Sequence, residues 1–404
     1  MSLDTSFLAA RALAIKPSPS MAAKARVDQL RSEGRDIVDF TVGEPDADTP
    51  AHIVQGAIDA LRAGQTRYTP TAGTVALLKA VQGKFERENG LRFGLDQIIV
   101  GVGAKQLIFT ALAASVQEGD EVIVPAPFWV SYPDMVLANE GKPVIVVCDE
   151  ANGFKLTPQV LEAAITPRTK WLVLNSPSNP TGAVYTEEEL SALAEVLLRQ
   201  PQVAVLTDEI YEHLCYGDGP MASLAKVAPR LADRVLTVNG VSKAYAMTGW
   251  RLGYAAGPKV LIRAMATQIS QNTSCVSAVS QAAAVVALTG DQASVAEARE
   301  TYRARRDRVV ALLNAIPGIR CAVPDGAFYV YPSVQALLGR RTPQGKILAN
   351  DLDVVMYLLD TAGVAVLDGA AYGLSPYIRL SFATSMSQIE EGCDRIAKAC
   401  AQLR

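Results

Sequence analysis

The sequence predicts an α/β protein: a mostly parallel sheet between layers of helices, with a smaller α+β unit attached. Three observations carry this expectation. From about residue 96, short β-forming runs alternate with longer helical patterns. Several of those runs are apolar throughout instead of alternating, as strands buried on both faces must be. At 404 residues the chain also exceeds the usual size of one hydrophobic core, so a second unit is expected.

The elements follow in order. A Pro-rich arm, "MSLDTSFLAARALAIKPSPS", leads to an apolar run around Ile37 to Val42. "QIIVGVG" precedes an apolar helical stretch from Lys105 to Val116, and "GDEVIVPAP" comes next. "TKWLVLNSPSNPTG" is followed by a charged amphipathic helix from Glu187 to Arg199. "QVAVLTDEIYE", "RVLTVNG" and "LGYAAG" complete the series. Beyond about residue 300 the pattern changes to a highly charged helix, "EARETYRARRDRVVALLNAI", then "GAFYVYP" and a polar loop near 339–346. Another helix, "GVAVLDG" and "YIRLSFAT" follow. Short strands and helices in this order read as a small α+β unit built from both chain ends. The expected division is 1–48 (arm and part of the small domain), 49–299 (large domain) and 300–404 (small domain). A cleft is expected between them.

Composition excludes several classes. Net charge is −3 with no basic block, which argues against nucleic acid and anionic membrane as partners. The first twenty residues lack a signal-peptide pattern. No uncharged apolar run approaches the roughly 18 residues needed to span a bilayer. Six cysteines without a C-x-x-C pair read as reduced, mostly buried thiols of a cytoplasmic protein. Two histidines, His52 and His213, leave little material for a metal site or a Ser-His-Asp triad, and no metal is expected. His213 reads as structural.

The polar residues at the strand ends form a set. In an open parallel sheet, ligands bind beyond the carboxyl ends of the strands. After "IIV" comes Gly101-Val102-Gly103-Ala104-Lys105, whose backbone amides open a helix and make an anion site. After "WLVL" come Asn175 and Asn179; after "VAVL", Asp208 and then Tyr211; after "RVLTV", Lys243. Trp129 follows "VIVPAPF". Taken singly, each has an ordinary reading: Asp208 as a helix N-cap, Trp129 as core, Arg379 as a surface arginine, Lys16 and Lys105 as solvated. Jointly, a phosphate cradle, an aromatic face, an acid and a buried lysine call for pyridoxal 5′-phosphate. An acid beside its pyridine nitrogen keeps the ring an electron sink. A desolvated lysine near cations has a lowered pKa and can condense with the cofactor. Arg251 supplies a fixed charge for the phosphate.

With these residues the chain resembles class I aminotransferases of fold type I, in the bacterial aspartate aminotransferase subgroup. The likeness rests on "AIKPSPS", "GEPDADTP", "RYTP", "VGAKQ", "PFWVSYPDM", "NSPSNPTG", "TDEIYEHL", "SKAYAMTGWRLGYAAGP", "GAFYVYP" and "RLSFATS", and covers nearly the whole chain. It implies that Lys243 carries the cofactor and shuttles the proton. Asp208 would pair with the pyridine nitrogen, Asn179 and Tyr211 with the phenolic oxygen, and Trp129 would stack on the ring. Gly103, Ala104, Lys105, Ser242 and Arg251 would hold the phosphate, and Tyr68 would reach the phosphate of a neighbouring subunit in a homodimer with shared sites. Gly43 and Arg379 would grip the substrate's α-carboxylate, Arg379 through its planar fork. Lys105, helped by Lys16, would bind the distal carboxylate.

Two positions depart from the family pattern. Gly240 stands where many relatives carry a phosphate-binding serine, and Gly73-Thr74-Val75-Ala76-Leu77 replaces a usual G-[IV]-P-E-L, a segment expected near the cleft. The implied activity is transfer of an amino group from aspartate to 2-oxoglutarate by a ping-pong mechanism. Prephenate or aromatic amino acid transamination is the alternative on the same scaffold. A non-enzymatic pyridoxal-phosphate sensor is a third reading, and a β-lyase or decarboxylase a fourth.

Overall fold

The computed structural model describes residues 5–17 and 19–404. Among them the strands, in chain order, are β1 (Val38–Asp39), β2 (Ile98–Gly101), β3 (Glu121–Ala126), β4 (Lys142–Val147), β5 (Thr169–Asn175) and β6 (Ala204–Asp208). Then come β7 (Val235–Gly240), β8 (Gly253–Ala256), β9 (Tyr329–Val330), β10 (Val364–Ala365), β11 (Leu367–Asp368) and β12 (Ile378–Ser381). One sheet holds seven of them in the order β2-β8-β7-β6-β5-β3-β4. Its pairs from β7 to β4 are parallel, and β8 runs antiparallel to both β7 and β2.

Alternate side chains of these strands enter two different cores. On β5, Trp171 and Val173 join Ile108 and Met265 on one face, while Leu172 and Leu174 join Leu193 and Leu197 on the other. Val205 and Leu206 on β6 part in the same way, as do Val235 and Leu236 on β7. Burial on both faces is why these runs are apolar without alternation. The sequence reading does not include β4. It is an edge strand that contains Pro143 and leaves Ile145 and Val147 42% and 49% exposed, so it lacks the signature of its neighbours.

Helix ends follow local chemistry. Thr186 and Glu189 form a reciprocal capping box, at 3.2 and 2.9 Å, that starts the helix Glu187–Leu198. Gly103, at φ +81°, turns the chain into the helix Ala104–Ala113, which ends before the expected Val116. A further core draws on both ends of the chain: Val38 and Phe40 pack with Val309, Val330, Leu380, Phe382 and Ile396. Here β1 pairs with β10, and β11-β12-β9 form an antiparallel sheet. The ends of β5 and β6 face residues of β9, β12 and the segment after β1 across a cleft.

Candidate active site

The cleft has a volume of about 420 Å³, within the usual range for small-molecule sites. Parallel register sets Asn175, the last residue of β5, opposite Asp208, the last of β6. Asn175 Nδ2 donates to the Asp208 carbonyl at 2.9 Å, and its Oδ1 accepts from the Asn179 amide at 2.8 Å. The Asp208 side chain is buried. Its Oδ2 accepts from the Tyr132 hydroxyl at 2.7 Å and its Oδ1 from the Ile210 amide at 3.3 Å. Burial raises its pKa to about 6, against the opposing pulls of Tyr132, Ile210 and Lys243. A cation placed beside it would return it to the charged form.

Lys243 lies three residues beyond the end of β7 and is half-buried rather than sequestered, because its ammonium faces the cleft. Nζ donates to the Gly43 carbonyl and stands 5.6 Å from the ring centres of both Tyr211 and Phe328. Burial, with the charges of Arg379 and Arg251, lowers its pKa to about 8 despite Glu44 nearby. The Tyr211 hydroxyl is buried and hydrogen-bonds that of Tyr329 at 2.8 Å. Burial pushes both hydroxyls up.

At one end of the cleft the sequence builds an anion cradle. The first amides of the helix Ala104–Ala113 have no partner within the helix. Arg251 closes on them from the other side, its guanidinium held by the Thr248 carbonyl at 2.8 Å and the Val102 carbonyl at 3.3 Å. A Cβ on Gly103 would stand 2.5 Å from Arg251 Nη2, so only glycine permits this approach. Ser242 is buried and lines the same cleft. Gly240 does not line it. A Cβ there would meet Gly253 Cα, Ile210 Cδ1 and the Leu252 carbonyl at 3.1 Å each, which leaves little room in this chain for the serine that the resemblance puts there in many relatives. Trp129 forms the aromatic wall, edge-on to Tyr132, with Lys105 Nζ 4.8 Å from its ring centre. Desolvation and the Arg251 charge lower the Lys105 pKa.

At the other end stands Arg379, on β12 and only 2% exposed. It donates to the Thr41 carbonyl and, at 3.3 Å, to Asn179 Oδ1, and its guanidinium lies 4.6 Å over the Tyr329 ring. Among the described residues no carboxylate pairs with it, and its buried Nε has no hydrogen-bond partner. A buried guanidinium with an open donor can take an incoming carboxylate.

Of the residues read from the sequence, Gly43, Ala104, Lys105, Trp129, Asn179, Asp208, Tyr211, Ser242, Lys243, Arg251 and Arg379 meet in this cleft. Gly103 borders it through Arg251. Lys16 and Tyr68 do not line it. Lys16 is exposed, its amide bonded to Asp134 at 3.2 Å; Tyr68 is 89% exposed beside Cys275 and Val276. The departure at Gly73–Ala76, placed near the cleft from the sequence, lines no part of it. Thr74 caps the helix Val75–Lys84 instead. The sequence reading missed Tyr132 and Tyr329. The first sits three residues after Trp129, in the first turn of the helix Ser131–Ala138, where its amide donates to the Trp129 carbonyl at 3.0 Å; a second aromatic so near Trp129 in the chain was the available signal. Among the described residues no group of three or more His, Cys, Asp or Glu side chains could hold a metal ion.

Comparison with known proteins places this arrangement in a lineage. The model of the family "Aminotransferase class I and II" matches residues 35–396, and the chain belongs to that family. Members of the class I family use pyridoxal phosphate and act on small molecules. More particularly, the chain is 51% identical to a probable aspartate/prephenate aminotransferase of Rhizobium leguminosarum bv. phaseoli, over 98% of each chain. It is similar to the crystal structure of the Rhizobium meliloti aspartate aminotransferase, with a TM-score of 0.96, 51% identity, and coverage of 98% of this chain and 99% of that one. A Thermus thermophilus aspartate aminotransferase solved with maleate gives a TM-score of 0.91 at 43% identity, covering 97% and 99%.

Proposed function

We propose that the protein is a pyridoxal-phosphate-dependent aminotransferase that moves the amino group of aspartate to 2-oxoglutarate, giving oxaloacetate and glutamate by a ping-pong mechanism. The observation that carries this reading is one cleft holding both an amine of lowered pKa, Lys243, and a buried arginine without an acidic partner, Arg379. The side chains present fit the cofactor. Gly103, Ala104, Lys105, Ser242 and Arg251 suit its phosphate, Trp129 its ring face, Asp208 its ring nitrogen, and Tyr211 with Asn179 its phenolic oxygen. When bound, pyridoxal phosphate supplies an aldehyde that condenses with amines and a protonated ring that draws electrons from the substrate's α-carbon.

The chain's own residues do the rest. With its pKa near 8, Lys243 is partly neutral around neutral pH, so it can act as a nucleophile and carry a proton. Asp208 holds a proton at the ring nitrogen by its charge. Arg379 orients the α-carboxylate through its fork, with Gly43 beside it. Lys105, which lines the cleft, meets the distal carboxylate; Lys16, outside the cleft of its own chain, takes no part in this reading. The relatives' names support an acidic substrate, and maleate, found with the Thermus protein, is a four-carbon dicarboxylate. A second reading, prephenate transamination, is favoured by relatives named for both substrates.

The active form in this reading is a homodimer in which Tyr68 reaches the partner's phosphate site. An aromatic ring 89% exposed on the single chain supports this. Free thiols at all six cysteines support a cytoplasmic, reducing location.

The test is spectral and chemical together. Aspartate should bleach the visible band of the purified holoprotein as oxaloacetate forms, and Lys243→Ala should lose both. A spectral change without turnover would point to a sensor, and substantial transamination by Lys243→Ala would overturn the assignment. Mixing Tyr68→Phe with Lys243→Ala protomers should restore one intact site per hybrid dimer. Mixed dimers that stay inactive would remove Tyr68 from the shared site. A panel of donors and acceptors including prephenate separates the two substrate readings.

A further inference from the structure

Beyond the cleft floor lies a buried polar cluster that the chemistry above leaves unused. Its centre is Glu212, which is 9% exposed. Glu212 Oε1 accepts from Asn89 Nδ2 at 2.6 Å, and Oε2 accepts from Asn239 Nδ2 at 2.6 Å and from Lys84 Nζ. Lys84 is fully buried, donates to Asn89 Oδ1 at 2.8 Å and lies 3.6 Å from Glu88, which His213 holds at 2.9 Å. Glu209 stands nearby, bonded to Ser223 at 2.9 Å, with one oxygen left without a partner. Lys84, Asn89, Glu212 and Asn239 do not line the cleft.

Their places in the chain give the cluster its meaning. Glu212 directly follows Tyr211 and stands four residues after Asp208, while Asn239 stands on β7 four residues before Lys243. The Glu212 amide also bonds the Glu209 carbonyl at 2.9 Å, closing the turn that leaves β6. Asn239 Oδ1 accepts from the Gly240 amide at 2.7 Å, fixing the backbone where β7 ends. One carboxylate therefore ties together the two segments that deliver the acid and the lysine.

We propose that Glu212, held by Lys84 and Asn239, is a positioning residue of the reaction, fixing the Asp208–Tyr211 turn relative to the strand end that carries Lys243. The inference rests on the roles proposed above for those three residues. Stability alone does not require such a cluster, because apolar residues of similar volume often replace a buried ion pair without loss. Directional bonds fix relative position as apolar packing does not, and a misplacement of about 1 Å can cost about 10²-fold in rate.

The test uses the holoenzyme of the parent and of Lys84→Met/Glu212→Leu, which removes the charges together. Expected are a denaturation midpoint near the parent's, a fall in kcat of about 10- to 100-fold, a KM for aspartate changed less than about threefold, and a shifted pH midpoint of the visible band. Lys84→Arg, which keeps the charge, should retain the parental values. A double variant that folds and keeps the parental kcat and band midpoint overturns the proposal. Should it not fold, Asn239→Ser decides by the same readouts, since it removes the Asn239 side-chain bonds to Glu212 and to the Gly240 amide and leaves the Lys84–Glu212 ion pair. A parent that forms no visible band with pyridoxal phosphate would instead defeat the functional reading beneath.

Discussion

Lys84 and Arg379 are both buried cations, 0% and 2% exposed, yet their surroundings are opposite. Lys84 is met by a carboxylate, an amide oxygen and a second carboxylate within 4 Å. Arg379 is met by neutral oxygens and two aromatic rings, and part of its guanidinium has no partner. Removing a charge from water costs several kcal/mol unless it is paired. The protein meets that cost from within at Lys84; at Arg379, in the proposed reading, a ligand would meet it. Burial alone thus does not mark a binding residue; burial without a counter-charge does.

The strongest test sets the two cations against each other. Arg379→Leu should lower kcat/KM for aspartate by about 10²–10³-fold, since charge-assisted hydrogen bonds are worth about 1.5–3 kcal/mol each. Its urea midpoint should hold or rise, as no acid is left behind. Glu212→Ala should instead cost about 3–5 kcal/mol of stability by stranding Lys84. Equal destabilisation by both substitutions would erase the distinction.

A smaller effect sharpens it at the cleft mouth. In the proposed reading Lys105 belongs with Arg379 as a carboxylate-binding cation, although it is far less enclosed. Lys105→Ala should raise KM for aspartate by about 10- to 100-fold and leave alanine or phenylalanine as donors nearly unchanged. Equal losses for all donors would mean damage to the anion cradle alone.

The last comparison is a pH dependence of stability. Lys243 titrates near 8 in the folded protein against 10.5 for an ordinary lysine. Between those values the unfolded chain binds more protons, so stability of the cofactor-free protein rises with pH across this window. Lys243→Met should lack that contribution, read as the difference between urea midpoints at pH 8 and pH 10. Parallel curves for the two proteins would show that Lys243 is not held in a depressed state.

Much of the cleft was legible because strand ends announce themselves: an apolar run stops, and a lone Asn175, Asp208 or Lys243 follows. The same logic located the central strands, whose two-sided burial leaves a continuous apolar mark. It missed β4, whose edge position and Pro143 blur that mark. Tyr132 and Tyr329 were hidden because their partners, Asp208 and Tyr211, lie 76 and 118 residues away. The Glu212 cluster was hidden for the same reason, drawing on Lys84 and Asn239 from distant elements. Lys16 and Tyr68 were legible only through resemblance, and neither reaches the cleft of its own chain.

Only Val241 and Ser242 separate the last residue of β7 from Lys243, and only Val102 separates the last residue of β2 from Gly103. Each strand is pinned by side chains that part to opposite faces, so inserting or deleting one residue cannot be absorbed by sliding. Such a change would instead displace the next residues of the chain by about 3.3 Å, the rise of one residue, a shift as large as the whole length of a hydrogen bond. In these two connections, tolerance of changed side chains and tolerance of changed spacing are therefore separate properties. Diversification of this molecule can proceed by substitution along the cleft walls, whereas its lengths at the strand ends are held fixed.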